Sequence, residues 1–542
     1  MGRDLGDFQT PPALVAAVLA RLASNGRSWQ RVLEPTCGRG NFLAGVLDLD
    51  SPPGEVQGIE FQESYLSEVR HLLSERAPRI QSRLIRANLF EMDLKALTWD
   101  DPDGSLLVVG NPPWVTNSEF GALESKTRPP RSNARRVRGI DAITGNSNFD
   151  AAEAVWLKVL TELAEQAPTV ALLCKTAVAR NVLEHARRLA IPVEFAEVVR
   201  VDARAWFGAA VEACLLVLQV DREPIPDRET LDRVPVFADL EADAPESFLG
   251  FARGRTVANA DDYRRYAWLD GECPLNWRQG VKHDAAGVME LSRLGQGLWT
   301  NKTGDVLRIE EEFVFPLLKG TDLARPAPVT PHRAVIVTQR RVGEETVRLA
   351  TEAPALWTYL QSHVKTFSQR KSSVYRDRPS FAMFGIGPYT FAPYKVGVSG
   401  LHKSPIFQAV GPIDGRPVML DDTGYFLPCR SPEQAALIAT SLNGPEAIGL
   451  LASLALPGAK RPVTKGLLQR LDLKAIVARA DRGSLMERAG REVERLAGHA
   501  PSWPSRLEDL LESESIFEPK APLIQESAGT WPSPPSMTSA AL

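Results

Sequence analysis

The sequence predicts an α/β protein: a doubly wound sheet, followed by a second, mixed α+β domain. Two observations place the sheet. Short apolar runs at residues 31–33, 56–59, 82–85 and 106–109 alternate with helical segments at the spacing of successive strand–helix units. The first and fourth of these runs each open into a loop of unusual composition, and open α/β sheets keep their ligands at the carboxyl ends of strands. A third observation marks the second domain: beyond residue 262 the pattern turns to β-like alternation and gains aromatic residues.

The bulk numbers narrow the function classes. At 542 residues the chain exceeds what one hydrophobic core supports, so two or three domains are expected. Lys and Arg number 63 against 67 Asp and Glu, a net charge of -4, so any surface for a polyanion must be local. Five cysteines, widely spaced and without a C-x-x-C pair, argue against a disulfide framework or a zinc ribbon and suit a reducing, cytoplasmic setting. The first ten residues carry no basic-then-apolar signal, and no apolar run approaches membrane-spanning length. Neither a membrane nor a metal is expected as a partner.

Taken in order, Thr10 reads as the N-cap and Pro11 as the first residue of a helix that carries the amphipathic run 13–22. The strand at 31–33 leads into Glu34-Pro35-Thr36-Cys37-Gly38-Arg39-Gly40-Asn41-Phe42 and a further helix. Gly38 and Gly40 let a ligand approach the backbone near that helix start. Leu43 breaks the G-x-G-x-x-G spacing, and Glu34 repels a pyrophosphate while suiting a cationic or amine-bearing ligand. The strand at 56–59 ends at Glu60, about twenty residues on, where an acid commonly takes ribose hydroxyls. Alone, Glu60 reads equally as a solvated acid; with the glycine loop it points to a positively charged nucleoside. The third strand ends near Asn88, and the fourth carries Gly110-Asn111-Pro112-Pro113-Trp114. Two prolines fix that loop and remove two donors, leaving an amide and carbonyls beside an aromatic ring, a place for a flat, nitrogen-bearing ring. The plainer alternative is a rigid turn with a buried tryptophan.

Lys126, Arg128, Arg131, Arg135, Arg136 and Arg138 follow with no acid among them, which suggests a phosphate-gripping loop; the alternative is a solvated charge run. Helices over 151–165 and 178–189 and strands over 169–174, 194–199 and 211–220 complete the sheet, with Trp206-Phe207-Gly208 between the last two. The expected division is a catalytic domain over 1–235, an acidic Pro-rich linker over 236–262, a second domain over 263–480, a charged helical segment over 481–518 and a disordered tail over 519–542. Within the second domain, Lys365, Arg370, Lys371, Arg376, Arg378, Lys395 and Lys403 interleave with Phe367, Tyr375, Phe381, Phe384, Tyr389, Phe391 and Tyr394. Basic residues among aromatics suit a nucleic-acid surface, although some of these rings belong to the core.

Residues 7–220 resemble the S-adenosylmethionine-dependent DNA adenine-N6 methyltransferases, of the amino-methylating, Rossmann-like class. The stretch from Glu34 to Phe42 is similar to that family's cofactor motif, Glu60 to its ribose-binding acid, and Asn111-Pro112-Pro113-Trp114 to its catalytic tetrapeptide. Phe8-Gln9-Thr10-Pro11-Pro12 resembles the segment that closes over the methionine end of the cofactor, and this motif order is that of the gamma subgroup, which carries a C-terminal target-recognition domain. Phe315 to Asp322 and Lys460 to Lys465 resemble phrases of restriction-type adenine methyltransferases. The resemblance implies S-adenosyl-L-methionine held by Thr10, Pro11, Glu34, Pro35, Cys37, Gly38, Gly40, Phe42, Glu60, Asn88, Leu89 and Asn111. It implies catalysis by Asn111, Pro112, Pro113 and Trp114 on an adenine flipped out of double-stranded DNA.

By the same resemblance Phe207 holds the flipped base, while the basic loop and Arg370, Lys371, Arg376 and Lys395 grip DNA. One departure stands out: Asn88 replaces the family's usual aspartate at the cofactor adenine, whereas Trp114, in place of the more frequent tyrosine, keeps the stacking face. No paired-acid-plus-lysine nuclease motif is evident, so a separate nuclease or other defence-system subunits are the partners to expect, if any. Enzymes with the same loop also methylate RNA or protein glutamine, and a non-catalytic DNA-recognition subunit is the non-enzymatic alternative.

Overall fold

The computed structural model describes residues 9–24, 26–115, 150–223, 229–455 and 461–512. The chain forms two compact units. The first comprises Met1–Cys273, Gly400–Ile406 and Ser441–Ala480, and the second comprises Pro274–Ser399, Phe407–Thr440 and Asp481–Leu542.

The first unit is organised around ten strands: β1 (Arg31–Glu34), β2 (Glu55–Glu60), β3 (Gln81–Arg86), β4 (Leu106–Gly110), β5 (Thr169–Lys175), β6 (Val193–Val201), β7 (Ala213–Val220), β8 (Arg233–Phe237), β9 (Ser247–Ala252) and β10 (Arg255–Val257). They lie in the order β10-β9-β8-β6-β7-β5-β4-β1-β2-β3. Helices α1 (Pro12–Ala23), α2 (Asn41–Val46), α3 (Glu63–Arg76), α4 (Ala151–Glu162), α5 (Thr176–Arg188) and α6 (Ala203–Phe207) alternate with the strands. Every residue of β1 and β4 is buried, as expected of central parallel strands covered on both faces. Val32, Leu33, Val108, Val109 and Leu172 belong to one continuous core with Leu14 and Val18 of α1 and Trp156 of α4.

Strands β3, β2, β1, β4 and β5 are parallel, as predicted, but β7 runs antiparallel between β5 and β6, pairing Cys174 with Cys214. The connection from β6 to β7 holds only the short α6, too little chain for a crossover. Residues 236–262 are not a linker. They contribute to β8, β9 and β10, which extend the sheet beyond β6, because Val234, Val236, Phe237 and Leu249 join the same core. Pro245 and four of the acids that suggested a linker, Asp239, Glu241, Asp243 and Glu246, fall in the turn over residues 238–246, while Asp261 and Asp262 open the helix Ala260–Tyr266. The first helix also starts later than predicted: Pro11 is the N-cap (φ -58, ψ 140) and Pro12 the first helical residue, while Thr10 is buried and caps nothing. A residue preceding proline is pushed out of the helical region, which places the boundary at Pro11.

The second unit is mixed α+β. A four-stranded sheet is formed by β11 (Arg278–Gln279), β17 (Tyr394–Ser399), β18 (Gln408–Val410) and β20 (Gly424–Cys429). A six-stranded sheet is formed by β12 (Glu290–Gly295), β13 (Leu298–Asn301), β14 (Val306–Leu307), β15 (Val314–Leu318), β16 (Arg333–Ile336) and β19 (Met419–Leu420). Its core includes Leu317, Val335, Leu356 and Phe381. The helix Arg482–Ala497 also belongs to this unit. Its buried stripe is Leu485, Ala489 and Val493, and Arg495 donates to the Ala409 carbonyl at 2.6 Å. The predicted second domain is therefore interrupted, because residues 263–273, 400–406 and 441–480 group with the first unit. The predicted tail, residues 519–542, lies outside the described residues. No single described helix is long and apolar enough to cross a membrane.

Candidate active site

Sequence order along the sheet reverses between β1 and β4, so their carboxyl ends flank the crevice where doubly wound sheets bind ligands. The loop after β1 is shaped by its glycines. Gly38 and Gly40 both adopt the left-handed region (φ +49 and +73), and Gly40 caps α2. A Cβ on Gly40 would stand 2.9 Å from both methyl groups of Val69 in α3, so no larger residue fits without movement. The Cys37 N–H donates to the Ile59 carbonyl at 2.9 Å, tying the loop to β2.

The acids of the site are aligned by backbone donors. Glu60 accepts from the N–H of Gly38 at 3.0 Å and of Gln62 at 2.8 Å. Glu34 is buried, accepts from the Leu43 N–H at 3.3 Å, and places its Cγ 3.4 Å from where a Cβ on Gly110 would lie, so the ends of β1 and β4 touch through it. Burial pushes the Glu34 carboxyl well above the usual range; the Leu43 N–H opposes that shift and nearby Glu60 adds to it. Burial also pushes the Cys37 thiol up, with Glu34 and Glu60 contributing, so it is no nucleophile.

Several residues assigned to the cofactor have side chains turned inward. Cys37 packs toward β2, where a Cβ on Gly58 would meet its Sγ at 3.0 Å, and Phe42 and Leu89 are core residues, so these three have little side chain to offer a ligand. Pro35 is buried beside them. Pro11 is half-buried at the start of α1, and the Thr10 carbonyl accepts from Asn41 Nδ2 at 2.8 Å. Gln9, absent from the predicted set, lies on the glycine loop. Its Oε1 accepts from the Arg39 N–H at 3.2 Å, and its amide lies 3.0 Å from a Cβ position on Gly38. The polar residue between Phe8 and Thr10 was the available signal for it. Asn88 is half-buried, with Oδ1 accepting from the Phe90 N–H at 3.2 Å and Nδ2 donating to Glu91 at 3.1 Å.

At the end of β4, Asn111 is half-buried, Pro112 is buried and Pro113 is half-buried. Trp114 is 6% exposed, with its Nε1 donating to the Leu173 carbonyl of β5 at 3.3 Å. Its ring meets Phe207, at the end of α6, edge to face with centroids 5.3 Å apart. The structure thus brings Phe207 to the tetrapeptide across about ninety residues of sequence. Lys175, the last residue of β5, donates through Nζ to the Trp114 carbonyl at 2.9 Å and pairs with Asp150 at 2.8 Å. Asp150 in turn caps α4 by accepting from the Ala152 N–H. Neither Lys175 nor Asp150 carries a motif that singles it out in the sequence. Lys126, Arg128, Arg131, Arg135, Arg136 and Arg138 lie outside the described residues.

The second unit revises the nucleic-acid surface. Arg370 is a structural pin, not a DNA contact: its guanidinium donates to the carbonyls of Phe367, His283, Ala382 and Ser380 and lies 3.6 Å from the centre of the Tyr375 ring. Lys395 is 1% exposed and donates to the Ala392 carbonyl at 2.7 Å, so it cannot reach a phosphate. Phe367 and Phe381 are core rings. Lys371 and Arg376 are exposed. Among the described residues, no group of three His, Cys, Asp or Glu side chains is placed to hold a metal ion.

No family profile matches the sequence. The Type II methyltransferase M.NspV of Nostoc sp. is 31% identical over 477 residues, covering 87% of this chain and 97% of its own length. Among solved structures, the Type IIL restriction-modification enzyme MmeI, in complex with DNA, aligns with a TM-score of 0.49 at 12% identity over 92% of this chain and 74% of MmeI. The type I restriction-modification methyltransferase subunit from Streptococcus thermophilus aligns with a TM-score of 0.31 at 15% identity, over 46% of this chain and 50% of the subunit. Identity at the level shared with M.NspV, sustained over almost the whole of that protein, assigns the family: the chain belongs to the Type II methyltransferases, the DNA methyltransferases of restriction-modification systems.

Proposed function

We propose that the protein methylates the N6 amino group of an adenine turned out of double-stranded DNA. The observation that carries this reading is Asn111-Pro112 at the carboxyl end of β4, beside the glycine loop of β1 across the reversal of strand order. The residues present suit the methyl donor. Strands β2, β1 and β4 are neighbours, about 4.8 Å apart, so Glu60, the Gly38–Gly40 cradle and Asn111 form one row. Glu60 is aligned to take ribose hydroxyls, and Gln9, Thr10 and Asn41 bring the segment before α1 onto the loop. The bound donor supplies a methyl group on a sulfonium.

An adenine amino nitrogen is a poor nucleophile, because its lone pair is delocalised into the ring. Asn111 Oδ1 and the Pro112 carbonyl accept the two N6 hydrogens, which favours a pyramidal nitrogen and turns the lone pair toward the methyl group. Acceptors fixed in advance stabilise the positive charge that develops there. Turning the base out costs a few kcal/mol, offset in part by about 1–3 kcal/mol of stacking on an aromatic ring, for which the half-buried Phe207, backed edge to face by the buried Trp114, is the more accessible of the two. The second unit is the target-recognition domain in this reading. Its DNA contacts fall on Lys371 and Arg376 and on Arg340, Arg341 and Arg378, which are also exposed. Five cysteines without disulfides suit the cytoplasm, and a cognate nuclease, where one exists, is a separate chain.

Asn111→Ala is expected to abolish transfer of a tritiated methyl group to DNA while binding the donor nearly as the parent does. Substantial residual transfer removes the role given to Asn111. Methyl incorporation into RNA or protein in place of DNA removes the substrate.

A further inference from the structure

The Asn111–Trp114 loop is short of backbone donors of its own. Its two prolines have no N–H, so two of the donors that would normally fix a loop backbone are missing just where the acceptors must be held most tightly. Donors from outside must take over, and β5 supplies or receives the contacts. Trp114 Nε1 donates to the Leu173 carbonyl at 3.3 Å, and the Lys175 ammonium donates to the Trp114 carbonyl at 2.9 Å. Gly110 pairs directly with Leu172, so β5 runs alongside the loop's point of departure. The ammonium also pairs with Asp150 at 2.8 Å. Asp150 is fixed by capping α4, and the Ala151 N–H beside it donates to the Val115 carbonyl at 2.9 Å. The lysine side chain is 23% exposed and the aspartate 9%, so neither charge is well hydrated and each needs the other. The pair brings a hydrogen bond to the loop without bringing a net charge to a place where the reaction itself moves a positive charge onto nitrogen.

We propose that Lys175, with Asp150 as its counter-ion, is a positioning residue of methyl transfer, fixing the Trp114 carbonyl and through it the orientation of the Asn111–Trp114 loop. The proposal rests on the methyltransferase reading of that loop. Lys175 touches neither donor nor base in this role; it acts through the backbone. A misplacement of about 1 Å in such a loop can cost about a hundredfold in rate.

The test compares full-length parent, Lys175→Met, Lys175→Arg and Asp150→Asn proteins for kcat on a DNA substrate, for donor affinity by calorimetry and for melting temperature. Lys175→Met is expected to lower kcat about a hundredfold, with donor affinity changed less than about threefold. Lys175→Arg, which keeps a cationic donor, is expected to recover at least about tenfold of that loss. Asp150→Asn is expected to fall between the two. The clamp is overturned if Lys175→Met keeps kcat within about threefold of the parent. It is also overturned if kcat, donor affinity and melting temperature collapse together and Lys175→Arg recovers none of them, since that is the behaviour of a plain structural residue. Absence of methyl transfer by the parent on DNA rejects the methyltransferase reading and the clamp with it, whereas parent turnover with an unchanged Lys175→Met rejects the clamp alone.

Discussion

Lys395 shows what a single buried charge does to the second unit. It points into the core of the four-stranded sheet, with one carbonyl partner and the Phe426 ring nearby, and burial lowers its pKa from 10.5 to about 7. The folded chain therefore gives up this proton near neutrality, while the unfolded chain holds it up to about pH 10.5. Between those values the unfolded state binds more protons, so stability rises with pH, and below about pH 7 the full penalty is present. Lys395→Met is expected to raise stability at pH 7 and to flatten the slope from pH 7 to 10, as read by urea denaturation across that range. An unchanged slope removes the argument. In the sequence Lys395 looked like one more surface cation among aromatics. Strand β17 is buried on both faces, so alternation carries no signal there, and a lysine in it cannot be told from an exposed one. Arg370 was misread for a related reason: residue type announces charge, but not that four carbonyls consume it.

Elements whose function lies in backbone geometry were easier to read. The placement of the glycine loop, Glu60 and the Asn-Pro-Pro-Trp loop at the carboxyl ends of β1, β2 and β4 was legible, because left-handed glycines, strand-end acids and consecutive prolines leave a mark in residue identity. Gln9, Lys175 and Asp150 were not, since their work depends on contacts made across tens of residues. The turns that carry the exposed arginines of the second unit show the same limit. Glu344 accepts from the Arg341 N–H at 3.3 Å and pairs with Arg348 at 3.0 Å, while Gly343 (φ +82) reverses the chain, and its Cβ position lies 3.9 Å from Arg378 Nη1. The turn at Gly343 thus approaches Arg378 of a turn distant in sequence, and Arg340, Arg341, Arg376 and Arg378 are all exposed, as is Val342. Replacing these four arginines with alanine is expected to weaken DNA binding. The slope of log affinity against log salt should flatten by about 0.9 for each phosphate that is no longer neutralised, measured by anisotropy over a salt series. A slope equal to that of the parent places the DNA elsewhere.

On the scale of the whole molecule, the alternation of strands and helices revealed the sheet, and periodicity alone could not reveal that the chain returns to it. Residues 441–480 rejoin the first unit through Arg470, which makes two hydrogen bonds, at 2.8 and 2.6 Å, to the fully buried carboxylate of Asp270. Tyr263 donates to the same group at 2.6 Å. The Tyr266 ring lies against Gly449, where a Cβ would approach it to 2.3 Å, so the helix Pro445–Leu454 needs glycine at that position. Arg470→Ala leaves a buried carboxylate short of its main partner and is expected to destabilise the protein by about 3–5 kcal/mol, seen as a lower denaturation midpoint. A loss under about 1 kcal/mol would make the pair ornamental. On the reading proposed above, in which the second unit recognises the target, this return of the chain also sets the rules for exchanging sequence specificity between relatives. A graft that joins one protein's first 273 residues to another's remainder would split Asp270 from its own Arg470 and pair surfaces that never evolved together. The transferable cassette is discontinuous, Pro274–Ser399 with Phe407–Thr440 and the segment from Asp481 on, and a chimera cut at those seams is the one that keeps the host's catalytic unit whole.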